Sequence, residues 1–487
     1  MKEAIEGLQP KSLWEHFYEI AQIPRCSKEE EKVKDHIIQI AKRNNLSYKM
    51  DEVGNVVIQK PASPGLENKP TIVFQGHLDM VCEKNKGTEH DFAKDPIKLK
   101  RDGDWIKADG TTLGSDNGIG VAAALAVMED KNLKHGPLEF LFTIDEETGL
   151  TGAQEISKDL LDGRILLNMD SEEDGAVYIG CAGGKDAELF LTLETEKVPA
   201  GFKAVLVRVS GLMGGHSGLN IHEGRGNAIK LLNRFLWKTL PQISGRLASI
   251  EGGNKHNAIP REAEAIIFIP QDKISELKEK AKTYDQYFKD EYKLSDSKVS
   301  LTIEETGFNV PQDMLSSKLH GKLLNLLYSL PHGVMAMSHA IPGLVETSTN
   351  LAVVSRKNSQ IAILTSQRSS IGSALSEIHE MVLACGYQAG AEVHSGGGYP
   401  AWKPNPESPL LQRVKKVHKG LFNKEPEVKA IHAGLECGII GDKFPGMDMI
   451  SFGPTIMGAH SPDERVQIST VERFWQLVES LVKDIAS

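Results

Sequence analysis

A short apolar strand that ends in two polar side chains constrains this chain more than any other stretch. Residues Thr71–Phe74 are apolar or β-branched, which predicts a buried strand. His77 and Asp79 follow it directly. Because open parallel α/β sheets bind ligands beyond the carboxyl ends of their strands, the pattern predicts a site there. In an H-x-D pair the imidazole can bind a metal while the carboxylate fixes its tautomer, although a polar loop without a ligand has the same sequence.

Three further groups of acids occupy equivalent places. The predicted strand Leu138–Ile144 ends in Asp145, Glu146 and Glu147, and the strand Arg164–Met169 ends in Asp170. Asp116 lies just before a helix of small residues, where an acid is commonly only a helix cap. Consecutive acids repel one another unless solvent or a cation neutralises them. Four such places in one α/β region predict a metal cluster.

Composition excludes several other classes of protein. The chain has 487 residues, a formal net charge of −10 and a pI near 5.9, so we expect two or three domains and no nucleic-acid surface. The first residues lack the pattern of a signal peptide and no apolar run is long enough for a membrane span. The five cysteines are scattered without C-x-x-C spacing, which predicts neither a disulfide nor a thiolate zinc site, and a reduced cytoplasm. Cys26 is expected to be a small buried hydrophobe.

The order of predicted elements indicates an inserted domain. Residues 1–185 read as the first part of an α/β catalytic domain with a mostly parallel central sheet, in which Ser27–Asn44 is a helix opened by a capping box at Ser27 and Glu30. Residues 186–398 interleave strands and helices as in an α+β lid of two ferredoxin-like units. The α/β pattern returns in residues 399–487, which predicts the second part of the catalytic domain.

Five stretches together resemble the clan of di-zinc exopeptidases with an M20-type fold, and within it the aminoacyl-histidine dipeptidase branch. They cover the chain in the expected order: Gly76–Cys82, Thr112–Gly120, Asp145–Gly149, Asn168–Ser171 and Gly458–Glu464. The resemblance implies a zinc-exopeptidase-like catalytic domain that binds two divalent metal ions, zinc or else manganese or cobalt.

The resemblance also implies a role for each residue of the cluster. His77 and Asp170 would be the outer ligands of one metal, Glu147 and His460 those of the other, and Asp116 would bridge both. Asp79 would orient His77, and Glu146 would be the general base. A cis peptide between Asp116 and Asn117 is implied as well.

Substrate contacts are expected from the lid. The resemblance implies that His216 helps to hold the substrate carbonyl and that Asn257 and Arg368 bind the substrate, Arg368 through the C-terminal carboxylate. Gly434 and Glu436 match a further substrate-side loop, and a structural role for Glu436 is the alternative. In relatives with a shorter lid, this histidine is donated across a dimer, so the resemblance allows a homodimer through the lid. His216 could then act either at the metals of its own chain or at those of a partner chain.

The expected activity is hydrolysis of unblocked dipeptides, Xaa-His and carnosine-like ones included, by a water activated at two metals with Glu146 as base. The expected partner is therefore a small peptide, with no nucleic acid and no membrane. An N-acyl amino-acid deacylase or other amidohydrolase on the same scaffold is one alternative. A relative that binds metals or peptides without catalysis is another, against which the presence of Glu146 beside all five predicted ligands argues.

Overall fold

The computed structural model describes residues 2–306 and 310–487, and the chain divides into two compact units. The first comprises Met1–Cys181, Trp402–Ala430 and Leu435–Ser487, and the second comprises Ala182–Ala401 and Ile431–Gly434. The boundaries predicted after residues 185 and 398 lie within four residues of these, while the short return of 431–434 to the second unit was not expected.

The first part of the first unit contains five α-helices and eight strands among its described residues. They are α1 (Lys11–Ala21), α2 (Glu31–Arg43), β1 (Ser47–Met50), β2 (Val56–Lys60), β3 (Ile72–His77), β4 (Leu99–Asp102), β5 (Trp105–Ala108), α3 (Ser115–Glu129), β6 (Leu138–Thr143), α4 (Glu146–Gly149), α5 (Thr151–Glu155), β7 (Ile165–Asn168) and β8 (Ala176–Cys181).

The second unit follows, and the chain then returns to the first. The second unit holds β9 (Gly183–Thr192), β10 (Thr195–Lys197), β11 (Phe202–Ser210), β12 (Gly215–His216), α6 (Ala228–Thr239), β13 (Arg246–Gly252), β14 (Ala258–Ile259), β15 (Ala263–Pro270), α7 (Ile274–Glu291), β16 (Ser300–Glu305), β17 (Asp313–Leu315), α8 (Ser317–Ser329), β18 (Gly333–Met337), β19 (Val345–Lys357), β20 (Gln360–Ser369), α9 (Gly372–Ala389) and β21 (Glu392–Tyr399). The remaining elements are α10 (Pro409–Phe422), β22 (Glu427–Ile431), α11 (Glu436–Lys443), β23 (Asp448–Ser451), β24 (Ile456–Met457), β25 (Arg465–Gln467) and α12 (Ile468–Ala486).

The central sheet of the first unit is mixed. Its strand order is β1-β2-β6-β3-β7-β23-β8-β22. The three middle pairs, β6 with β3, β3 with β7 and β7 with β23, are parallel. The pairs β1 with β2, β2 with β6 and β23 with β8 are antiparallel. The predicted α/β class is therefore confirmed, with parallel pairing in the middle of the sheet.

The middle strands are buried along their whole length, as their continuous apolar runs predict. Every residue of β3 and β6 is buried, and the rings of Phe74 and Phe140 stack with centroids 5.3 Å apart. Helix α3 is buried on all sides from Asn117 to Met128, because its small residues allow close packing. These strands and this helix form the rigid support of the predicted site.

The predicted capping box is wrong. Helix α2 begins at Glu31, after an N-cap residue that makes no side-chain cap bond. The Ser27 hydroxyl instead donates to Asp79, and the Glu30 carboxylate accepts the backbone N–H groups of Lys28 and Asp145. Tertiary partners for both side chains have replaced the local pairing that the spacing predicted.

The second unit is built on one large sheet. The strand order is β16-β11-β15-β13-β19-β20-β9-β21, with β18 added on β19. Strands expected in two ferredoxin-like halves belong to this single sheet, since β13 and β19 pair at Gly252 and Val354. Helices α6, α7, α8 and α9 contribute buried leucine, alanine, valine and phenylalanine side chains to the core below it.

Candidate active site

The parallel strands deliver most of the predicted cluster to one edge of the central sheet. His77 ends β3, where it pairs in register with Thr143 at the end of β6. Gln75 of β3 pairs with Asn168 at the end of β7. Glu146 and Glu147 follow β6, and Asp170 follows β7. The carboxyl ends of three neighbouring strands therefore place these side chains together, as the strand-end pattern predicts.

Asp116 enters the cluster from the start of α3 and is not the cap of that helix. The N-cap is Gly114, in the left-handed region at φ 72°. Asp116 has non-helical dihedral angles, and the peptide bond between Asp116 and Asn117 is cis, as the resemblance implied. Its Oδ1 lies 3.0 Å from His77 Nε2 and its Oδ2 lies 3.1 Å from His460 Nε2. Each carboxylate oxygen thus meets a different imidazole.

Two groups of donor atoms share Asp116. One contains His77, Asp116 and Asp170, with 3.2 Å between His77 Nε2 and Asp170 Oδ1. The other contains Asp116, Glu147 and His460, with 2.9 Å between His460 Nε2 and Glu147 Oε2. Two ligands held about 2.1 Å from one ion lie about 3.0 Å apart at a right angle and about 3.4 Å apart at the tetrahedral angle, so small shifts of these side chains would admit one divalent cation in each group. The structure brings together all five predicted ligands.

The carboxylates of the cluster raise the pKa values of its two histidines. Burial lowers the pKa of His77, but the carboxylates of Asp170 and Asp116 raise it well above its ordinary value. Hydrogen bonds with Asp116 and Glu147 raise the pKa of His460 to about 11. Both imidazoles therefore hold protons that divalent cations would displace.

Asp79 contacts both the His77 ring and the backbone of Glu146 and Glu147. It is fully buried, and its Oδ1 lies 3.2 Å from His77 Nδ1. The backbone N–H groups of Glu146 and Glu147 donate to its two oxygens at 3.0 and 3.1 Å. Burial opposes ionisation, but these partners, His77 first among them, lower the pKa of Asp79 to about 2. One carboxylate thus aligns both the His77 ring and the turn that carries the predicted base.

Glu146 lies at the first position of the short helix α4. The preceding Asp145 has a left-handed backbone at φ 48°, and its carboxylate accepts hydrogen bonds from the hydroxyls of Thr148 and Thr151. A donor atom of Glu146 lies within 4.8 Å of donor atoms of His77 and Glu147. Burial, reinforced by the nearby acids, raises the pKa of Glu146 well above its ordinary value. A carboxylate with a raised pKa beside a cation site is suited to accept a proton and pass it on.

Sequence reasoning missed the group that holds the Asp116 loop. Glu464 is 2% exposed and accepts backbone N–H bonds from Leu113, Gly114 and Ser115 at 2.7, 2.9 and 2.7 Å. The Ser115 hydroxyl donates to it at 2.6 Å and the Asp116 N–H at 3.3 Å. The only available signal was the place of Glu464 in the same stretch as His460.

Arg25 was also missed. It is 3% exposed, and its guanidinium donates to the carbonyl oxygens of Leu78 and Asp79 at 2.9 and 2.8 Å and to that of Gly114. It therefore ties the loop after β3 to the loop before α3. Nothing in the local sequence around Arg25 indicated these distant carbonyl partners.

Glu436 lies beneath the cluster and has no exposed surface. Its Oε2 accepts hydrogen bonds from Gln75 Nε2 at 2.6 Å and from the Thr143 hydroxyl at 2.8 Å. Burial raises the pKa of Glu436 to about 7. In this placement the partners of the Glu436 carboxylate are side chains of the central sheet, Gln75 and Thr143.

In the second unit, backbone contacts fix the tautomer of His216. It ends β12, and its Nδ1 accepts the backbone N–H groups of Gly218 and Leu219 at 3.2 and 3.1 Å. Because Nδ1 is an acceptor, the proton of the neutral ring is on Nε2. Burial, followed by the charge of Arg368, lowers the pKa of His216 to about 4, so the ring is neutral near pH 7.

Arg368 lies in β20 and is 7% exposed. It donates to the Tyr399 hydroxyl at 2.7 Å, and no carboxylate of the described residues forms an ion pair with it. An almost buried guanidinium without a protein counter-ion favours an anionic ligand. Asn257 is partly buried, and its carbonyl oxygen accepts the Ser217 N–H at 2.8 Å.

Gly434 is required by its contact with a ring, since a Cβ there would lie 2.7 Å from Tyr399 Cε2. The nearby His432 was not expected. It is 6% exposed and its Nε2 lies 2.7 Å from the Ser348 hydroxyl. Burial, with the charge of Arg368, lowers the pKa of His432 to about 3.

The expectation for the cysteines is wrong in one respect. Cys26 and Cys82 form a disulfide, while Cys181, Cys385 and Cys437 are free thiols. The two cysteines are 56 residues apart in sequence, and the backbone bridge between Cys26 and Met80 brings the two segments together.

Within the described residues, no helix combines the length and apolar character needed to cross a bilayer.

Comparisons with known proteins identify the family of this chain. The model of peptidase family M20/M25/M40 matches residues 73–484. The chain is 44% identical over 481 residues to the cytosol non-specific dipeptidase of Escherichia coli K12, covering 99% of both chains. The crystal structure of aminoacylhistidine dipeptidase from Vibrio alginolyticus superposes with a TM-score of 0.91 at 41% identity, covering 99% of both chains. The aminopeptidase PepT of Bacillus cereus shares the fold, with a TM-score of 0.56 at 15% identity over 99% of this chain and 100% of that one.

Proposed function

We propose that this chain, which belongs to peptidase family M20/M25/M40, is a metal-dependent dipeptidase that hydrolyses unblocked dipeptides in the cytosol. The observation that carries the proposal is Asp116, whose two oxygens face the imidazoles of two separate donor groups. Its support from relatives is the 44% identity to a cytosol non-specific dipeptidase and the 41% identity to an aminoacylhistidine dipeptidase. Xaa-His and carnosine-like dipeptides are proposed to be among the substrates.

The residues that would hold two divalent ions are His77 and Asp170 for one, Glu147 and His460 for the other, and Asp116 for both. Nitrogen and oxygen donors suit zinc, and manganese or cobalt nearly as well; we propose zinc. Bound there, such ions polarise a carbonyl and lower the pKa of an attacking water towards about 7.

The protein's own contribution to the reaction is proton transfer and alignment. Glu146 takes the proton of the attacking water and delivers it to the leaving amine, because a carboxylate at this position can act first as general base and then as general acid. Asp79 keeps this base in place through the backbone N–H groups of Glu146 and Glu147. It also fixes the tautomer in which His77 Nε2 is the metal-binding nitrogen.

We assign substrate binding to His216, Asn257, Arg368 and Gly434. The Nε2–H of His216 is the hydrogen-bond donor for the substrate carbonyl oxygen as negative charge develops on it. Arg368 binds the C-terminal carboxylate, which would supply the counter-ion that the described residues do not. Its planar guanidinium can donate two parallel hydrogen bonds to a carboxylate.

The test is replacement of the base. Glu146→Gln keeps the shape of the side chain but cannot accept the proton, so we expect kcat to fall about 10²- to 10⁴-fold while metal analysis still finds two ions per chain. Glu155→Gln, an exposed acid in the next helix, is the matched control and should retain full activity. Undiminished turnover by the Glu146→Gln variant would remove Glu146 from this role.

A substrate panel separates this proposal from the deacylase alternative. Free dipeptides and their N-acetylated forms are offered to the metal-loaded enzyme, and hydrolysis is followed by release of the C-terminal amino acid. We expect cleavage of the free set. Cleavage of the N-acetylated set alone would overturn the dipeptidase proposal, which the names of both close relatives favour.

A further inference from the structure

Arg368, Gly184 and Tyr399 lie in one row across three neighbouring strands of the second unit. Arg368 of β20 pairs in register with Gly184 of β9, and Gly184 pairs in register with Tyr399 of β21. Residues that are directly opposite each other in an antiparallel pair point to the same face of the sheet. The side chains of Arg368 and Tyr399 therefore stand on one face, with a glycine between them.

The glycine allows the two side chains to meet. A Cβ on Gly184 would lie 2.7 Å from Tyr399 Cε1 and 2.9 Å from the tyrosine hydroxyl oxygen, so the ring occupies the space that a larger residue would fill. Across that space, Arg368 Nη1 donates to the Tyr399 hydroxyl at 2.7 Å. A Cβ on Gly434 would lie 2.7 Å from Tyr399 Cε2. Glycines thus border the ring near both of its ε carbons and hold its hydroxyl towards the guanidinium.

The short return of the chain to the second unit lies across this row. His432 Nε2 is 2.7 Å from the hydroxyl of Ser348, which pairs in register with Arg368 from the opposite side of β20. Two residues further on, Gly434 meets the ring of Tyr399. The segment therefore contacts the row on both sides of Arg368, which explains why the arginine is only 7% exposed.

These contacts leave one edge of the guanidinium for a ligand. Nη1 is engaged by Tyr399, while Nε is buried and has no hydrogen-bond partner among the described residues. A buried N–H without an acceptor is unfavourable until a ligand supplies one. The Nε–H points in the same direction as one N–H of Nη2, and a carboxylate meets such an edge with two parallel hydrogen bonds.

We propose that Tyr399 is a positioning residue that fixes Arg368 so that its Nε–Nη2 edge receives the C-terminal carboxylate of the dipeptide. The inference rests on the proposed function and deepens it. Because the guanidinium is already held in the orientation that binding requires, less side-chain freedom is lost when the carboxylate arrives. A C-terminal amide offers this edge one acceptor oxygen in place of two, so the row favours free carboxylates. Tyr399 acts through Arg368 and takes no part in bond cleavage.

The experiment compares two non-hydrolysable ligands that differ only at the C-terminus. One is a phosphinic dipeptide analogue with a free carboxylate, and the other has a primary amide in its place. Binding to the zinc-loaded enzyme is measured by calorimetry. We expect the wild type to prefer the carboxylate compound about 100-fold, because two charge-assisted hydrogen bonds contribute about 10-fold each.

Tyr399→Phe removes the hydroxyl that holds Nη1 and keeps the ring between the two glycines. We expect it to lower the preference about 10-fold, because a misaligned guanidinium keeps only one good hydrogen bond to the carboxylate. The amide compound should bind as it does to the wild type, and with dipeptide substrates KM should rise while kcat changes little. Tyr387→Phe, at a tyrosine of α9 that is 63% exposed, is the matched control and should leave the preference unchanged.

An undiminished preference in Tyr399→Phe, or equal weakening of both ligands, would overturn the assignment. A crystal structure of the wild-type complex is a second test that does not depend on folding of the variant. In it the carboxylate oxygens should lie about 2.8 Å from Nε and Nη2 of Arg368, and a carboxylate bound anywhere else would also overturn the assignment. Failure of the proposed function has a different signature, namely a wild-type enzyme that cleaves no free dipeptide.

Discussion

Asp116 shows how much a single side chain can decide. Its two oxygens lie 3.0 and 3.1 Å from two different imidazoles, so one carboxylate joins two donor groups that arise from distant parts of the sequence. By sequence alone the same residue had an ordinary role as a helix cap. The resemblance favoured the bridge, and the structure provides its geometry, with Gly114 as the N-cap.

The position of Asp116 depends on Glu464, which gives a prediction at the same scale. Glu464→Gln keeps the size of the side chain but turns one acceptor oxygen into an NH₂ group facing backbone N–H donors. We expect the Asp116 loop to shift and metal affinity to fall about 10- to 100-fold, as when other groups that orient metal ligands are replaced. Competition with a chromophoric chelator measures this affinity.

Asp463→Asn provides the control for the Glu464 experiment. Asp463 is the exposed neighbour of Glu464, and its loss should leave metal affinity unchanged. A Glu464→Gln enzyme with wild-type affinity for both metals would show that the loop keeps its shape without the carboxylate.

At the scale of helices and strands, the sequence predicted features that depend on local patterns but not those that depend on partners far away in the chain. Strand β6 spans Leu138–Thr143 where the sequence predicted Leu138–Ile144, because its apolar run is complete within the strand. The order β6-β3-β7-β23 of the middle strands depends on a pairing between Ile165 and Asp448, which are far apart in sequence, and no local pattern contains it. The failed capping box at Ser27 and the disulfide of Cys26 have the same cause, a partner in the segment after β3.

Part of the candidate site could be predicted because its residues lie at the ends of predicted strands. His77 ends β3, and Glu147 and Asp170 lie shortly after β6 and β7, which both neighbour β3 in the sheet, so strand-end chemistry predicts their proximity. Glu464 and Arg25 act on backbone groups, which leave no signature in side-chain identity. His432 lay outside every stretch that the resemblance used, and burial alone distinguishes it.

The loop that carries His216 has a similar hidden support. Asp296 is fully buried, and its two oxygens accept the N–H groups of Met213 at 2.7 Å and Gly226 at 2.8 Å. These bonds fasten both ends of the segment between β11 and α6. Asp296→Ala would leave the buried Gly226 N–H without a partner, at a cost of about 1–3 kcal/mol.

We therefore expect Asp296→Ala to lower the melting temperature by a few degrees, at about 2–4 °C per kcal/mol, and to raise KM for dipeptides by loosening His216. Asp296→Asn keeps one acceptor oxygen and should have a smaller effect, while Asp290→Ala, at an exposed position of α7, should have none. A stable Asp296→Ala enzyme with normal KM would show that the loop does not need this support.

At the scale of the whole molecule, the proposed metals connect distant parts of the first unit. Four of the five ligands come from residues 77–170, and the fifth, His460, comes from the segment that follows the second unit. A ligand that binds only the folded state stabilises it by RT ln(1 + [L]/Kd), or about 2.7 kcal/mol at a free concentration of 100 Kd. Chelation of the metals should therefore lower the melting temperature of the protein, and replacing Asp116 with Asn should remove most of that difference.

The stabilisation by metal should also depend on pH in a defined direction. In the metal-free protein the pKa of His460 is raised to about 11 and that of His77 lies well above its ordinary value, so both rings carry protons that metal binding releases. Protons compete more strongly as the pH falls, and the difference in melting temperature between metal-loaded and chelated protein should shrink from pH 8 to pH 6. Glu279→Gln, an exposed acid of α7, controls for the loss of one negative charge and should show the wild-type dependence. A difference that grows towards acid pH would contradict imidazole ligation.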